Sequence, residues 1–310
     1  MSCYESIFRD ALFAGQVGLV TGGGSGIGRC IAHEMARLGA HVVLVGRTVE
    51  KLERVAAEIA EDGGSASWWA CDIRDEAGVK AMVAEIVAAH GRVDMLVNNA
   101  GGQYPSPLAH LSKKGWEAVV ATNLTGGFLM AREVFEQSMQ TFSRREHRAQ
   151  GRPGPAIVNI IADMWRGMPG MAHSGAARAG MQNLTMTAAV EWARFGIRVN
   201  AVAPGWIASA GMETYDEPMK TTITHLHKSV PLKRLGTESE VSAAVCFLLS
   251  PAAAFMTGQT LSVDGGAPLY PNQFPIPAHS NSLAFNGFHR ATTPAFLSAH
   301  LQSPEDADQT

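Results

Sequence analysis

A glycine-rich turn near the N-terminus constrains the fold more than any other segment of this 310-residue chain. Residues 21–28 read Thr-Gly-Gly-Gly-Ser-Gly-Ile-Gly and directly follow the apolar, β-branched run 17–20. Glycines at this spacing allow a tight turn and a close approach of the backbone to a pyrophosphate, and the N-terminus of the following helix attracts the anion. The segment therefore predicts a strand–turn–helix unit that binds a dinucleotide at its turn.

The rest of the chain alternates short apolar runs with helical patterns. Strands are predicted at residues 17–20, 41–45, 67–71, 93–97, 157–161, 198–203 and 260–263, and helices at residues 31–38, 51–61, 76–90, 116–141, 176–195 and 238–249. The strands are apolar almost throughout, which is typical of a parallel sheet buried on both faces. With right-handed crossovers, the chain is predicted to be α/β, a single domain with a doubly wound parallel Rossmann sheet of seven strands and helices on both faces.

Two stretches fall outside this alternation. Residues 1–268 are predicted to form the Rossmann-fold domain, and residues 269–310 an irregular, proline-rich C-terminal tail. Such a tail either wraps over its own or a neighbouring subunit, or frays into solvent. The basic, Pro/Gly-rich stretch 144–155 is either a solvated loop or a grip for a substrate phosphate.

The net charge and the cysteine pattern indicate which binding partners and which cellular compartment to expect. A formal net charge of −3 gives no basic footprint for nucleic acid. No apolar run reaches the roughly 18 residues of a membrane helix, and the N-terminus lacks the pattern of a signal peptide. The four cysteines are scattered without a Cys-x-x-Cys pair, which indicates free thiols and no metal site. We expect a cytoplasmic protein that has neither nucleic acid nor membrane as a partner.

The motif Thr-Gly-x-x-x-Gly-x-Gly resembles the cofactor fingerprint of the short-chain dehydrogenase/reductase family, whose usual active site is a Ser and a Tyr-x-x-x-Lys. The matching helix here reads His-Ser-Gly-Ala-Ala-Arg-Ala-Gly over residues 173–180. Ser174 therefore stands where the Tyr is expected, and Arg178 where the Lys is expected. Counting the usual thirteen residues back from Ser174 reaches Ile161 instead of a serine. The resemblance implies the family fold with an altered active site.

The resemblance also implies where a cofactor lies along the carboxyl edge of the sheet. The glycine turn would hold the pyrophosphate, and the segments after the third, fourth and sixth strands would hold the adenine ring, a ribose and the nicotinamide carboxamide. In that order, the implied residues are Gly22, Gly24, Ser25, Gly26, Ile27 and Gly28; Asp72 and Ile73; Asn99, Ala100 and Gly101; and Pro204, Gly205 and Ile207. Arg178 would hold the nicotinamide ribose.

The residue after the second strand bears on the choice between NAD(H) and NADP(H). An NAD-preferring site usually places Asp or Glu there for the ribose 2′-hydroxyl, whereas this chain has Arg47. Arg29, beside the glycine turn, is a second candidate cation. Because a guanidinium pairs well with a 2′-phosphate, we predict NADP(H) as the cofactor. The alternative is that either arginine is a solvated surface residue.

A narrower resemblance connects the chain to enoyl-thioester reductases. Residues 101–103, 173–180, 183–185 and 245–253 are similar to segments of the peroxisomal trans-2-enoyl-CoA reductases. The related 2,4-dienoyl-CoA reductases carry Ser-x-x-x-Lys at the altered helix. The likeness extends over roughly residues 15–275. It implies an NADPH-dependent reductase of trans-2-enoyl thioesters, with acyl-CoA esters as substrates and a homotetrameric assembly.

Reduction of a C=C bond conjugated to a thioester makes the altered residues chemically reasonable. Hydride addition at the β carbon creates an enolate, which needs hydrogen-bond donors at the thioester oxygen. Ser174 can be such a donor, and the permanently charged Arg178 can add positive potential. Asn123 matches an Asn that many family members place near the site to anchor a water; alternatively, it bends or caps a helix. Ser174 could also do no more than begin its helix.

The sequence leaves the source of the proton for the α carbon unassigned. Dienoyl reductases carry an active Tyr eleven residues before the helix Ser, where this chain has Asp163. A buried carboxyl whose pKa is raised can act as an acid, so Asp163 is a candidate, with a solvated loop carboxylate as the alternative. Tyr215, in the variable segment after Trp206, is a weaker candidate.

Two other functions stay open. The chain could act on another acyl or terpenoid carbonyl or alcohol, although the missing Tyr counts against this. Loss of Ser, Tyr and Lys together also fits a catalytically inactive NADP-binding protein. Retention of Ser174 and Arg178 in the enoyl-reductase-like segment favours the enzyme. In each case the long apolar helices predicted at 116–141 and 176–195 leave outer faces suited to self-association.

Overall fold

Seven parallel strands form one sheet in a computed structural model that describes residues 3–141, 154–270 and 276–301. The strands are β1 (Val17–Thr21), β2 (His41–Gly46), β3 (Ser65–Ala70), β4 (Met95–Asn98), β5 (Ala156–Ile160), β6 (Arg198–Pro204) and β7 (Thr260–Val263). Their order across the sheet is β3-β2-β1-β4-β5-β6-β7. The order reverses between β1 and β4, which opens a crevice at the carboxyl ends of these strands. The predicted doubly wound, seven-stranded parallel sheet is confirmed.

Helices cover both faces of this sheet. They are α1 (Gly26–Arg37), α2 (Val49–Glu61), α3 (Glu76–His90), α4 (Lys113–Val120), α5 (Gly126–Gln137), α6 (Ala172–Trp192), α7 (Glu217–His225), α8 (Glu238–Leu249) and α9 (Ala295–Leu301). In the described part of the chain, none of them combines the length and the apolar character that crossing a membrane requires.

Neighbouring residues of β1 explain why both faces need helices. Leu19 and Val20 are both fully buried, yet they belong to different core clusters, because successive strand residues point to opposite faces. Val20 shares its cluster with Ile31 of α1 and Val245 of α8. Leu19 shares the other cluster with Val83 of α3. Packing on both faces fixes the position of the sheet and therefore of its carboxyl edge.

The single helix predicted over residues 116–141 is wrong, because the chain changes its helical hydrogen bonding in the middle. Between α4 and α5 lies a π-helical segment, Ala121–Thr125, which contains the buried Asn123. The Asn123 Nδ2 donates to the backbone oxygen of Gly102 at 3.0 Å, and its Oδ1 accepts from the Gly102 nitrogen at 2.9 Å. Such wide turns often occur at functional sites, and here the wide turn presents an amide to the loop after β4.

The described part of the C-terminal tail packs over its own subunit. Arg290 donates to both oxygens of Asp62 at the end of α2, and the Phe288 nitrogen donates to Ser239 of α8 at 3.0 Å. Farther on, Leu297 of α9 is buried. Of the two alternatives for the tail, wrapping over the same subunit describes residues 276–298. The stretch 142–153 lies outside the described residues, so the interpretation of the basic loop stays a prediction.

Candidate active site

A cleft of about 360 Å³ opens at the carboxyl ends of β1 to β4. Its walls come from the turns that follow these four strands, and two residues of the segment after β6, Ser209 and Gly211, also line it. Many of the residues expected at the cofactor meet here: Gly22, Gly24, Ser25, Gly26, Ile27, Arg47, Asp72, Ile73, Asn99, Ala100 and Gly101. The topology therefore brings together segments that are far apart in the chain.

The glycine turn adopts the backbone that its composition predicts. Gly22 and Gly26 have φ angles of +68° and +56°, in the left-handed region that glycine adopts without strain. Gly28 is buried outside the cleft lining, and a Cβ there would lie 2.4 Å from the Gly22 oxygen. Its role is close packing of α1 against the turn. The first turn of α1 carries no acidic residue, so the turn suits a diphosphate.

One end of the cleft concentrates positive charge. Arg47, Lys51 and Arg74 all line it, near the end of β2. Arg74 Nε donates to Asp72 Oδ1 at 2.9 Å, and hydrogen bonds from Arg74 lower the pKa of Asp72 to about 2. Sequence reasoning missed Lys51 and Arg74. The only signal for Arg74 was its position two residues after Asp72. These cations give this end of the cleft hydrogen-bond donors that suit an anionic group.

Arg29, the other cation expected near the cofactor, instead contacts α2 and the C-terminal tail. Its Nε donates to Glu58 at 2.7 Å, and its Nη1 donates to the backbone oxygen of Arg290 in the tail. The guanidinium also lies 5.0 Å from the centroid of the Phe288 ring. Arg29 does not line the described cleft. The expectation that it adds a cation there was wrong, because its partners come from distant segments.

Ser174 is the centre of a hydrogen-bonded chain of side chains. It is fully buried in the first turn of α6. Its Oγ donates to Gln103 Oε1 at 2.7 Å and accepts from Asn123 Nδ2 at 3.4 Å. Gln103 Nε2 in turn donates to the Tyr215 hydroxyl at 3.2 Å. The helix cap is Met171, without a side-chain cap bond, so Ser174 does more than begin a helix.

Arg178 lies one turn after Ser174 and is a buried cation without a carboxylate partner among the described residues. Its Nη1 donates to the Ile160 oxygen at 2.6 Å. Its Nε has no hydrogen-bond partner within the described ranges, and burial lowers the pKa of the guanidinium to about 10. A Cβ on Gly101 would lie 2.3 Å from Arg178 Nη2. A glycine at position 101 therefore lets the charge reach the cofactor cleft.

Two residues after β5, Ile161 and Asp163, lie in the segment where the resembled family carries its active-site serine. Ile161 is buried and apolar, so no hydroxyl stands at that position. Asp163 is half-buried, and its nitrogen donates to the Pro204 oxygen at 3.1 Å. Burial raises the pKa of the Asp163 carboxyl, and the nearby Asp264 carboxylate raises it further. A raised pKa is what a general acid needs.

The residues expected at the nicotinamide carboxamide lie beyond the cleft lining. Pro204 ends β6, and a Cβ on Gly205 would lie 2.8 Å from Asp264 Cα. Ile207 is buried and forms an isolated parallel bridge with Gly236. Their assignment to the cofactor stays a prediction. Residues 206–229, which include Ile207 and α7, are called the flap; its residue Ser209 lines the cleft.

Gln103 and Tyr215 complete the site in ways that the sequence hardly indicated. In the sequence, Gln103 belongs to the Gly-Gly-Gln segment 101–103 that resembles enoyl-CoA reductases, and this resemblance implies no role for it. Tyr215 lies in a variable segment and is only a weak candidate acid. Their contact joins positions 112 residues apart. Local sequence patterns contain no signal for such a contact.

Comparisons with known proteins agree with this architecture. A family model described as Enoyl-(Acyl carrier protein) reductase matches residues 22–268. A probable 2,4-dienoyl-CoA reductase of Bacillus subtilis (strain 168) is 38% identical over 259 residues, which are 83% of this chain and 98% of the relative.

Two solved structures of enzymes with different printed functions are also similar to this chain. The citronellol catabolism dehydrogenase (AtuB) of Pseudomonas aeruginosa PAO1 is 60% identical, with a TM-score of 0.74, covering 85% of this chain and 99% of that one. The 3-ketoacyl-(acyl-carrier-protein) reductase from Brucella melitensis, complexed with NADH, is 33% identical, with a TM-score of 0.72, covering 82% and 99%. Both share the fold. The chain belongs to the short-chain dehydrogenase/reductase family of nicotinamide-dependent oxidoreductases.

Proposed function

We propose that the chain is an NADP(H)-dependent reductase of trans-2-enoyl thioesters, with CoA esters as substrates. The observation that carries this proposal is the buried Ser174 hydroxyl, bonded to Gln103 and Asn123 where carbonyl reductases of the family have Tyr. Arg178, charged and incompletely partnered, lies one turn away. This set can stabilise negative charge on an oxygen, but it offers no phenol for an alkoxide at the Tyr position.

In the proposed reduction, the cofactor would supply the hydride and the protein would stabilise the negative charge that develops. A bound reduced nicotinamide would supply the hydride for the β carbon, and the C=C π electrons of the thioester would then move onto its oxygen as an enolate. Ser174 then donates its hydrogen bond to the enolate oxygen, and the field of Arg178 favours the same charge. Because both groups are buried, their effect on the developing anion is larger than it would be in water.

The second C–H bond needs a proton at the α carbon. Asp163 is the candidate acid, supported by a pKa that burial raises above its ordinary value. A carboxyl in this state holds its proton to a higher pH than a solvated one does. After transfer, the carboxylate would regain its proton from solvent, which its half-exposed position allows.

The preference for NADP(H) over NAD(H) is part of the proposal. Arg47, Lys51 and Arg74 line one end of the cleft. The 2′-phosphate distinguishes the two cofactors, and guanidinium groups pair with it through two parallel hydrogen bonds. Asp72 is already neutralised by Arg74, so it does not oppose the added charge.

A second candidate is oxidoreduction of an acyclic terpenoid carbonyl or alcohol. The 60% identity with the citronellol catabolism dehydrogenase favours it. Flexible methionines near the site would suit a branched chain in either case: Met164 packs near Ile161, and Met168 lies against Gly175. An inactive NADP-binding protein is the remaining alternative, and it would oxidise NADPH with none of these substrates.

We also propose a homotetramer in the cytoplasm. Large apolar side chains are exposed on the outer faces of α4, α5 and α6: Trp116, Phe128, Met186 and Val190 are 37%, 39%, 44% and 79% exposed. Closed symmetric association is the usual way to cover such faces. Light scattering that finds only a 32.9 kDa monomer at micromolar concentration would refute this assembly. The four free cysteines support a reducing compartment.

Replacing Ser174 tests the proposed function. Removing one oxyanion donor costs about 10²–10³ in kcat, so Ser174→Ala should lower kcat with a short trans-2-enoyl-CoA by that factor while NADPH affinity stays nearly unchanged. Ser138→Ala is the matched control, because Ser138 is also buried but bonds to Val93. Restoring the ordinary motif with Ser174→Tyr and Arg178→Lys should also reduce enoyl turnover. Full activity per folded molecule in Ser174→Ala would show that Ser174 is not the donor to the enolate oxygen.

A further inference from the structure

The hydroxyl that should contact the substrate is covered and already engaged. Ser174 is fully buried, and it gives its one proton to Gln103 Oε1 at 2.7 Å. A hydroxyl has a single proton to donate. A thioester oxygen can therefore accept from Ser174 only if the Gln103 oxygen leaves. In this state, the amide oxygen of Gln103 holds the position that an acyl oxygen would take.

The other half of the same amide holds the flap. Gln103 Nε2 donates to the Tyr215 hydroxyl at 3.2 Å. Tyr215 packs in the cluster of Met212 and Ile223 in the flap, together with Leu297 of the tail helix. Gln103 thus joins the loop after β4 to the flap, which contributes Ser209 and Gly211 to the cleft wall. Movement of this one side chain releases both contacts together.

The surroundings indicate that the side chain of Gln103 moves while the loop stays in place. The preceding residue, Gly102, is held at both its nitrogen and its oxygen by Asn123. Gln103 itself is exposed, so its rotation meets solvent on one side. The exchange replaces one carbonyl acceptor by another at Ser174, and the net cost is the hydrogen bond to Tyr215.

We infer that Gln103 is a substrate-displaced latch: its amide oxygen stands in for the acyl oxygen at Ser174, and its amide nitrogen ties the flap at Tyr215. This inference rests on the proposed function for the nature of the displacing group, a thioester carbonyl. Gln103 is then a positioning residue that sets acyl affinity. It keeps the Ser174 hydroxyl covered until a molecule with a well-placed acceptor oxygen arrives.

The first arm of the test concerns the flap and needs no substrate. Hydrogen–deuterium exchange of the full-length protein with bound NADP⁺ should be faster in residues 209–229 for Gln103→Ala and for Tyr215→Phe, by about three- to tenfold, the scale of one net hydrogen bond. Gln140→Ala is the control, since among the described residues its amide donates to the Glu136 oxygen in its own helical region. Unchanged flap exchange in both variants would overturn the latch.

The second arm measures acyl affinity with butyryl-CoA, a saturated thioester that cannot be reduced. Its Kd should fall about three- to tenfold in Gln103→Ala, because the internal competitor is gone. In Gln103→Glu the Kd should rise at least about tenfold, because a carboxylate accepts from Ser174 more strongly. In a Ser174→Ala background, the effect of Gln103→Ala should disappear.

The two arms separate failure of the latch from failure of the proposed function. Weaker butyryl-CoA binding in Gln103→Ala would mean that Gln103 contacts the substrate directly, and the latch would be wrong. If butyryl-CoA binds neither wild type nor any variant, the proposed CoA thioester class is wrong. In that case faster flap exchange would still support the tie between Gln103 and the flap, while displacement by an acyl oxygen would be refuted.

Discussion

The candidate site has two ends that are built in different ways: the cleft, which is the cofactor end, and the cluster around Ser174, which is the reaction end and lies outside the cleft lining. At the cofactor end, glycine turns and strand ends shape the wall, and Gly22 and Gly26 contribute backbone without side chains. At the reaction end, side chains from separate segments meet: Gln103 after β4, Ser174 on α6 and Tyr215 on the flap. One end therefore depends on backbone conformation and the other on pairwise side-chain contacts.

This difference explains how one fold accommodates several reactions. Backbone conformation is set by the sheet and by glycine, so the cofactor end keeps its shape when surface residues change. A contact such as that between Ser174 and Gln103 depends on two side chains that can be exchanged without altering the sheet. The relatives include dienoyl-thioester, ketoacyl and citronellol enzymes.

Arg178 lies where the two ends meet, and its loss should have the largest effect. Arg178→Ala removes a buried charge next to Gly101 and should lower kcat/KM by about 10³, because both cofactor contact and enolate stabilisation are lost. Steady-state kinetics and NADPH titration measure the two parts. Arg178→Lys keeps the charge and should recover part of the rate. If Arg178→Ala bound NADPH as tightly as the wild type does, Arg178 would not contact the cofactor.

Arg47 tests whether charge at the cofactor end selects the cofactor. Arg47→Asp should raise the Kd for NADPH by at least about 100-fold, through a lost charge-assisted pair and new repulsion of the 2′-phosphate. NADH affinity should change little or improve. Arg194→Asp is the control, because Arg194 is exposed near the far end of α6 and lies outside the cleft lining. Tighter binding of NADH than of NADPH by the unmutated protein would contradict the expectation.

Glu238 is an ionisable group buried behind the glycine turn, so it should make the stability of the cofactor end depend on pH. One of its oxygens lies 3.9 Å from where a Cβ on Gly26 would be, and burial raises the pKa of Glu238 from 4.5 to about 7. Unfolded chains release this proton near the ordinary value. The protonated carboxyl therefore adds stability that is complete below pH 4.5 and is lost as the pH rises through about 7.

Glu238→Gln removes that titration. The free energy of unfolding of wild type relative to Glu238→Gln should fall by about 2 kcal/mol between pH 4.5 and pH 8, somewhat less than the full pKa difference would give at about 1.36 kcal/mol per unit. Urea denaturation at several pH values measures it. A difference that does not vary with pH would mean that the Glu238 carboxyl ionises normally in the folded protein.

The cofactor end could be predicted because its signals are local. The glycine turn follows a strand and begins a helix within residues 17–28, and the ends of α8 and β7 match the predicted bounds. Helix α8 begins at a capping box formed by Thr237 and Glu240, which local sequence also encodes. In each case the partners lie within a few residues of one another.

The reaction end could be predicted only in part, since its partners are distant in the chain. The positions of Ser174 and Arg178 followed from the altered helix motif. The break at Asn123 did not, because its cause is a bond to the backbone of Gly102. Likewise, Arg29 pairs with Glu58 across two helices, and no local pattern indicates that choice. Hydrogen bonds formed only on folding decide these roles.

The most direct test of enoyl-thioester reduction compares three substrate classes with the wild-type protein. NADPH oxidation is followed with crotonyl-CoA, with acetoacetyl-CoA and with a free acyclic terpenoid aldehyde, and the product of each reaction is identified. We expect turnover of crotonyl-CoA to butyryl-CoA, with far slower reaction of the two carbonyl substrates, because Ser174 and Arg178 would stabilise an enolate. Rapid reduction of either carbonyl to an alcohol, with crotonyl-CoA untouched, would contradict it.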